Sequence, residues 1–146
     1  MTANERQIGG DHYKTKYEHW DLVLNTGMGY LEGCATKYVA RWRKKGGLAD
    51  LRKALHYVEK IQENEETLRT RQRYPQSVNT LTLANEAVDF SLANDLQAME
   101  LLTVGLLVNW SDDDNLAQAA ARIKKLILDN PDPVPLTEEN MHAQEN

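Results

Sequence analysis

Residues 30–62 read YLEGCATKYVARWRKKGGLADLRKALHYVEKIQ, two apolar-patterned segments separated by a glycine pair. In the first segment, aromatic and small apolar residues recur every four positions, which predicts a helix over Tyr30–Lys45 with a buried stripe. In the second, leucines recur at intervals of three and four, which predicts a helix that begins near Leu48. Because Gly46 and Gly47 leave only about two residues for the turn, we expect an antiparallel helical hairpin.

The remaining apolar segments also have helical patterns. They predict helices over Leu81–Leu92, over Leu96–Trp110 with Asn94 as N-cap, and over Leu116–Leu128 with acidic residues at its start. The short apolar piece Trp20–Leu24 is expected to start a first helix before the hairpin. No segment has the alternating pattern of a strand ladder. We therefore expect an all-α protein of about five helices, packed as antiparallel hairpins in a small bundle.

Three regions are expected along the chain. Residues 1–73 would hold a flexible N-terminal arm and the helical hairpin, residues 74–130 an acidic helical region packed on it, and residues 131–146 a disordered tail. The apolar fraction of 41% and the charged fraction of 27% are those of an ordinary globular protein. The only cysteine is Cys34, which excludes an intramolecular disulfide and is expected to pack in the core.

The sequence favours a cytoplasmic protein. Its longest strongly apolar stretch, Met99–Trp110, is too short for the ~20 residues that span a bilayer, so no membrane association is expected. No basic-then-apolar leader opens the sequence. The net charge of −5 is divided unevenly, with +4 in residues 1–73 and −9 in residues 74–146. The acidic half would repel a long nucleic acid, but the basic half can bind a small anion.

A basic cluster is the strongest candidate site. Seven of the eight charged residues from Lys37 to Lys53 are basic. Lys37, Arg41, Lys44 and Lys45 have the spacing of one helix face, and the start of the next helix, with Asp50 and Lys53, would meet the same turn. These features predict a phosphate cradle, and the alternative is a solvated basic face.

Other residues could complete such a site. His12 and Tyr13 follow a glycine pair and could contact a base or a phosphate, or could belong to a loose arm. Tyr57 shares a helix stripe with Asp50 and Lys53, which a structural ion pair and a half-buried tyrosine would also explain. The sequence contains no P-loop, no Gly-x-Gly-x-x-Gly fingerprint and no nucleophile elbow, and its four histidines lack metal-site spacing. A requirement for a metal is left open.

A faint internal repeat relates the two halves of the chain. An offset of 68 positions aligns Trp42 with Trp110, and Glu32 with Glu100. Leu48 and Ala49 align with Leu116 and Ala117 at the same offset. Duplication of a helical hairpin and chance similarity between two hairpins both explain these identities.

Residues 8–62 resemble a known family. The motifs are Gly10-Asp11-His12-Tyr13, then Lys37-Tyr38-x-x-Arg41-x-x-Lys44-Lys45, then Asp50-Leu51-x-Lys53-Ala54-x-x-Tyr57. Together they resemble the small phage domain called SaV-like, which occurs in the T7-type phage nucleotide kinase. Where the family commonly reads Arg-Ala-Gly-Lys-Lys, this chain has Arg41-Trp42-Arg43-Lys44-Lys45.

The resemblance implies a phage-type protein, located in the host cytoplasm, that binds a nucleotide such as ATP and phosphorylates a (deoxy)nucleoside monophosphate without a P-loop. In that enzyme the cations would hold phosphates and stabilise the transferred phosphoryl group. The expected catalytic residues are Lys37, Arg41, Lys45 and Asp50, with Asp50 orienting a cation or accepting a proton. The expected nucleotide-binding residues are His12, Tyr13, Tyr38, Lys44, Lys53 and Tyr57.

Two other functions fit the same residues. The protein could bind a nucleotide without turnover and sequester a host signal, which would make it an anti-defence protein. It could also be a helical adaptor whose basic hairpin docks on an acidic partner. Because one half is basic and the other acidic, we expect the chain to form a homo-oligomer.

Overall fold

The computed structural model describes residues 2, 3, 5, 17–70 and 79–131, and every regular element in these residues is a helix. The bounds are α1 His19–Thr26, α2 Tyr30–Arg41, α3 Gly47–Glu63, α4 Glu65–Thr70, α5 Thr80–Ala93, α6 Ala98–Asn109 and α7 Asp113–Asp129. The all-α prediction is confirmed. The predicted count of five is wrong, because the described residues hold seven helices.

The turn after α2 is longer than predicted. Helix α2 ends at Arg41 rather than Lys45, and residues 42–46 form the turn to α3. The Gly47 amide donates to the Trp42 carbonyl oxygen at 2.8 Å, and Gly47 has φ +58°, which favours glycine. Lys44 and Lys45 therefore lie in a turn, and the prediction that four cations share one helix face is wrong.

The other helix ends follow from local capping. The helix predicted to begin near Leu48 is α3, and Asn64 separates it from α4. Asn94, predicted as the N-cap of α6, instead ends α5, where its side-chain amide donates to the Phe90 carbonyl oxygen at 2.9 Å. Helix α6 begins two residues later than predicted. The Asp112 carboxylate caps α7 by accepting from the Asn115 amide, as expected for an acidic residue at a helix start.

The helices of the two halves pack in matching pairs. Helix α1 contacts α5, α2 contacts α6, and α3 contacts α7. Under the offset of 68, α1, α2 and α3 thus each pack against the helix at the corresponding positions of the second half. The buried residues correspond as well, because Ala35 and Val39 of α2 align with Thr103 and Leu107 of α6, and all four are buried.

Two reciprocal hydrogen bonds join the halves. Trp42 Nε1 donates to Glu100 Oε1 at 3.0 Å, and Trp110 Nε1 donates to Glu32 Oε1 at 3.0 Å. All four side chains are buried. Reciprocal contacts of this kind characterise an interface between two like subunits, so the structure favours duplication over chance.

His19 lies at the junction of α1, α2 and α5. Its Nε2 is 2.8 Å from Thr36 Oγ1, and its ring meets the Phe90 ring edge-on at a centroid distance of 5.9 Å. Burial, and secondarily the positive charge of Lys37, lower the pKa of His19 from 6.5 to about 4. The folded protein therefore holds the neutral imidazole at pH values where the unfolded chain is protonated.

We expect the free energy of unfolding to fall by about 2–3 kcal/mol between pH 6.5 and pH 4 because of His19 alone. The His19 contribution is fully present above pH 6.5, where neither state binds the proton, and is lost as the unfolded chain becomes protonated. Urea denaturation of the wild type and of His19→Gln, at pH 7 and near pH 4, measures it. Equal pH dependence of the two proteins would contradict the assignment.

No helix among the described residues combines the length and apolar character needed to cross a membrane.

Candidate functional site

Stacked tyrosines mark the outer face of the first hairpin. Tyr38 of α2 and Tyr57 of α3 lie with their ring centroids 6.0 Å apart and an interplanar angle of 17°. Tyr30 meets the ring of Tyr57 edge-on at 6.4 Å. The antiparallel hairpin brings these rings together, because Tyr30 and Tyr38 are two turns apart on α2 and Tyr57 lies opposite them.

Cations flank the stacked rings. The Lys53 ammonium lies 5.3 Å from the centroid of the Tyr38 ring, and the Arg41 guanidinium carbon lies 5.0 Å from the same centroid. A groove of about 490 Å³ opens beside them. We call it the tyrosine groove, and it is lined by Tyr38, Arg52, Lys53, His56 and Tyr57. Its volume falls within the range typical of small-molecule sites.

The phenol of Tyr57 also contacts α2. Hydrogen bonding to the Cys34 thiol, the coulombic effect of that thiol and hydrogen bonding to Tyr30 raise the pKa of Tyr57 to about 12. Tyr57 thus stays a neutral hydrogen-bonding group at physiological pH. Cys34, expected in the core, is instead only partly buried, because it lies beside this phenol at the rim of the aromatic cluster.

Asp50 forms a two-point ion pair with Arg41. Arg41 Nε donates to Asp50 Oδ2 at 2.9 Å, and Arg41 Nη2 donates to Asp50 Oδ1 at 3.3 Å. The Asp50 side chain is 2% exposed, whereas the Arg41 side chain is 30% exposed. The acid predicted to orient a cation therefore orients Arg41, and it links the end of α2 to the first turns of α3.

Gly46 is required beside this ion pair. A Cβ at Gly46 would overlap the carboxyl group of Asp50, whereas a Cβ at Gly47 would meet nothing within 4 Å. We expect Gly46→Ala to lower the free energy of unfolding by about 3 kcal/mol or more, because displacing Asp50 breaks a buried pair. Gly47→Ala should cost only about 1 kcal/mol, the cost of a positive φ. Chemical denaturation of both variants measures the difference, and equal costs would contradict the packing argument.

The side chains of the other cations in the basic cluster do not line the tyrosine groove. Arg43 Nε donates to Glu100 Oε1 at 2.8 Å, and its guanidinium lies 4.3 Å from the Trp42 ring centroid. Lys44 Nζ donates to the Asn94 carbonyl oxygen at 3.1 Å. Lys37 is exposed on α2, where its charge acts on His19. Lys45 is exposed in the turn and lines no part of the tyrosine groove.

The structure thus joins only part of the predicted site. Tyr38, Lys53 and Tyr57 line one groove, and Arg41 contacts its tyrosine. His12 and Tyr13 lie outside the described residues. The sequence analysis did not predict Arg52 and His56 as site residues. Positions 52, 53, 56 and 57 share a helix face, and this spacing could have indicated that both residues lie beside Lys53 and Tyr57.

The second half lacks the residues of the groove. Under the offset of 68, Tyr38 corresponds to Leu106, Lys53 to Ala121 and Tyr57 to Lys125. The basic turn Arg43-Lys44-Lys45 corresponds to Ser111-Asp112-Asp113. Although the halves pack as counterparts, the aromatic and cationic combination is present only in the first.

Known proteins give limited guidance. Residues 9–59 are similar to DUF3310, a family described as proteins of unknown function. This segment covers α1, α2 and most of α3, and it includes the tyrosine groove. No curated protein and no solved structure matches the chain. Among the described residues, no group of three histidine, cysteine or acidic side chains is arranged to hold a metal ion.

Proposed function

We propose that the tyrosine groove binds a small nucleotide. The observation that carries the proposal is the stacked pair Tyr38–Tyr57, with Lys53 over one ring, in a groove that Arg52 and His56 also line. Aromatic side chains stack on nucleobases, and neighbouring cations contact phosphates. One groove therefore offers partners for both ends of a nucleotide.

The charge distribution supports a small ligand over a polymer. The cationic side chains of the groove come from one face of α3, and the counterpart region of the second half carries acids in its turn. A long nucleic acid would extend beyond the basic hairpin and meet this acidic half. A mononucleotide or a short oligonucleotide would not.

Phosphoryl transfer would be the catalytic form of this proposal. The resemblance to the T7-type nucleotide kinase supports it, and cations such as Lys53 could stabilise charge on a transferred phosphoryl group. Lys37, Arg41 and Lys45 stay candidates for the same role, with ATP as the donor.

One observation favours a second candidate, binding without turnover. The Asp50 carboxylate is buried and accepts two hydrogen bonds from Arg41, so it is engaged in structure rather than poised to accept a proton. A protein that sequesters a nucleotide signal needs the groove but needs no general base.

A single experiment tests both candidates. The purified full chain is incubated with ATP and each nucleoside or deoxynucleoside monophosphate, binding is measured by calorimetry, and the ligands are recovered after denaturation and identified. Formation of a diphosphate supports the kinase, and stoichiometric recovery of unchanged nucleotide supports sequestration. The absence of binding to any nucleotide would overturn the proposal.

A further inference from the structure

Helices α5 and α6 leave an apolar face open. Four large side chains on this face are between 39% and 70% exposed: Leu81, Val88, Leu92 and Leu102. Leu81, Val88 and Leu92 are spaced by seven and four residues, so they form a ridge along one side of α5. Exposed apolar side chains that share one helix face are candidates for an interaction surface.

A groove lies beside this ridge. It has a volume of about 330 Å³, and most of its lining consists of apolar and small residues of both helices, with Asn109, Asn115 and Arg122 at its polar part. The apolar and small residues include Ala84 and Ala87 of α5 and Gly105 of α6, with Leu101 and Leu106 adjacent. A Cβ at Gly105 would meet no heavy atom within 4 Å, so the space above it is open. The same face therefore carries both a ridge and a groove able to receive one.

A positively charged side chain lines the groove, and a negatively charged one lies beside the ridge. Arg122 of α7 lines the groove, and its guanidinium donates only a long bond of 3.4 Å to the Gln118 carbonyl oxygen. Asp89 is exposed on α5, where it follows Val88 and flanks the ridge on one side. Neither side chain forms an ion pair with any other residue that the structure describes. Each charge thus lacks the partner that the other could supply.

We propose that this face binds a second copy of the chain in a two-fold dimer. The α5 ridge of each copy would enter the groove of the other, and Asp89 of one copy would meet Arg122 of its partner. A two-fold interface requires a surface that complements itself in both shape and charge, and this face does so. The proposal does not depend on nucleotide binding.

Sedimentation velocity over a wide range of concentrations tests the dimer. The wild type is expected to sediment at twice the chain mass of 16.6 kDa. Gly105→Trp places a large side chain in the groove, at a position where a Cβ meets no heavy atom within 4 Å, and should give a monomer. Asp89→Arg should also weaken the dimer, and combining it with Arg122→Asp should restore it. Ala117→Trp adds the same bulk on an exposed part of α7 outside the groove and should leave the dimer intact.

Three results would overturn this assignment. The first is a wild type that is monomeric at every concentration. The second is a dimer that persists in both Gly105→Trp and Asp89→Arg, which would place the interface elsewhere. The third is a wild-type monomer that binds a small apolar probe in the groove, which would make the face a ligand site. Circular dichroism confirms that each variant retains its helices.

Discussion

Replacing Trp110 by alanine is expected to lower the free energy of unfolding by about 3–5 kcal/mol. Trp110 is 1% exposed and packs with Ile61 and Leu116 in a cluster that joins the two halves. The substitution removes a large buried side chain and also the indole donor of the Glu32 carboxylate. Urea denaturation monitored by circular dichroism measures the loss.

Two further variants separate packing from hydrogen bonding. Trp110→Phe keeps most of the buried area but removes the N–H group, so it should cost about 1–3 kcal/mol. Trp20→Ala removes the same side chain from a position that is 47% exposed and should cost clearly less than Trp110→Ala. If Trp20→Ala and Trp110→Ala were equally destabilising, the importance of the interface between the halves would be refuted.

Replacing Tyr57 or Lys53 by alanine is expected to weaken nucleotide binding by about 10- to 100-fold each. Loss of an aromatic surface that stacks on a base costs about 1–3 kcal/mol, and loss of a charge-assisted contact to a phosphate costs a similar amount. Calorimetric titration with the nucleotide identified by the binding screen measures both affinities. Because Lys53 is exposed, its removal should leave the stability of the fold nearly unchanged.

Lys124 provides the matched control. It is the counterpart of His56 in the second half and is exposed on α7. Lys124→Ala removes the same charge as Lys53→Ala but should leave affinity within about two-fold of wild type, a change worth under 0.5 kcal/mol. Equal losses in the two variants would show that overall charge, rather than the tyrosine groove, governs binding.

Local sequence patterns were sufficient to predict the helices. The intervals of three and four between apolar residues located α2, α3, α5 and α7, because helical periodicity is a property of neighbouring residues. The acidic start of α7 was predicted for the same reason. Errors occurred where capping involves the rest of the chain, as at Asn94, whose side chain also donates to the Tyr17 carbonyl oxygen.

The candidate site was only partly predictable. Tyr38, Lys53 and Tyr57 follow from helical faces within one hairpin, since a short turn leaves little freedom in how its two helices pack. The partners of Arg43 and Lys44 could not be predicted from the sequence, because Glu100 and Asn94 are more than 45 residues away along the chain.

The amino-acid pattern alone established the helical class, the hairpin and the separation of basic from acidic halves, because these depend on composition and on residues a few positions apart. Tertiary packing established the rest. It paired α1 with α5, α2 with α6 and α3 with α7, engaged Arg43 with Glu100 and Asp50 with Arg41, and left Lys53 beside the stacked tyrosines. The physical reason is that a charged side chain interacts most strongly with the polar or oppositely charged group nearest to it in space. Only the packing of distant helices determines which group is nearest.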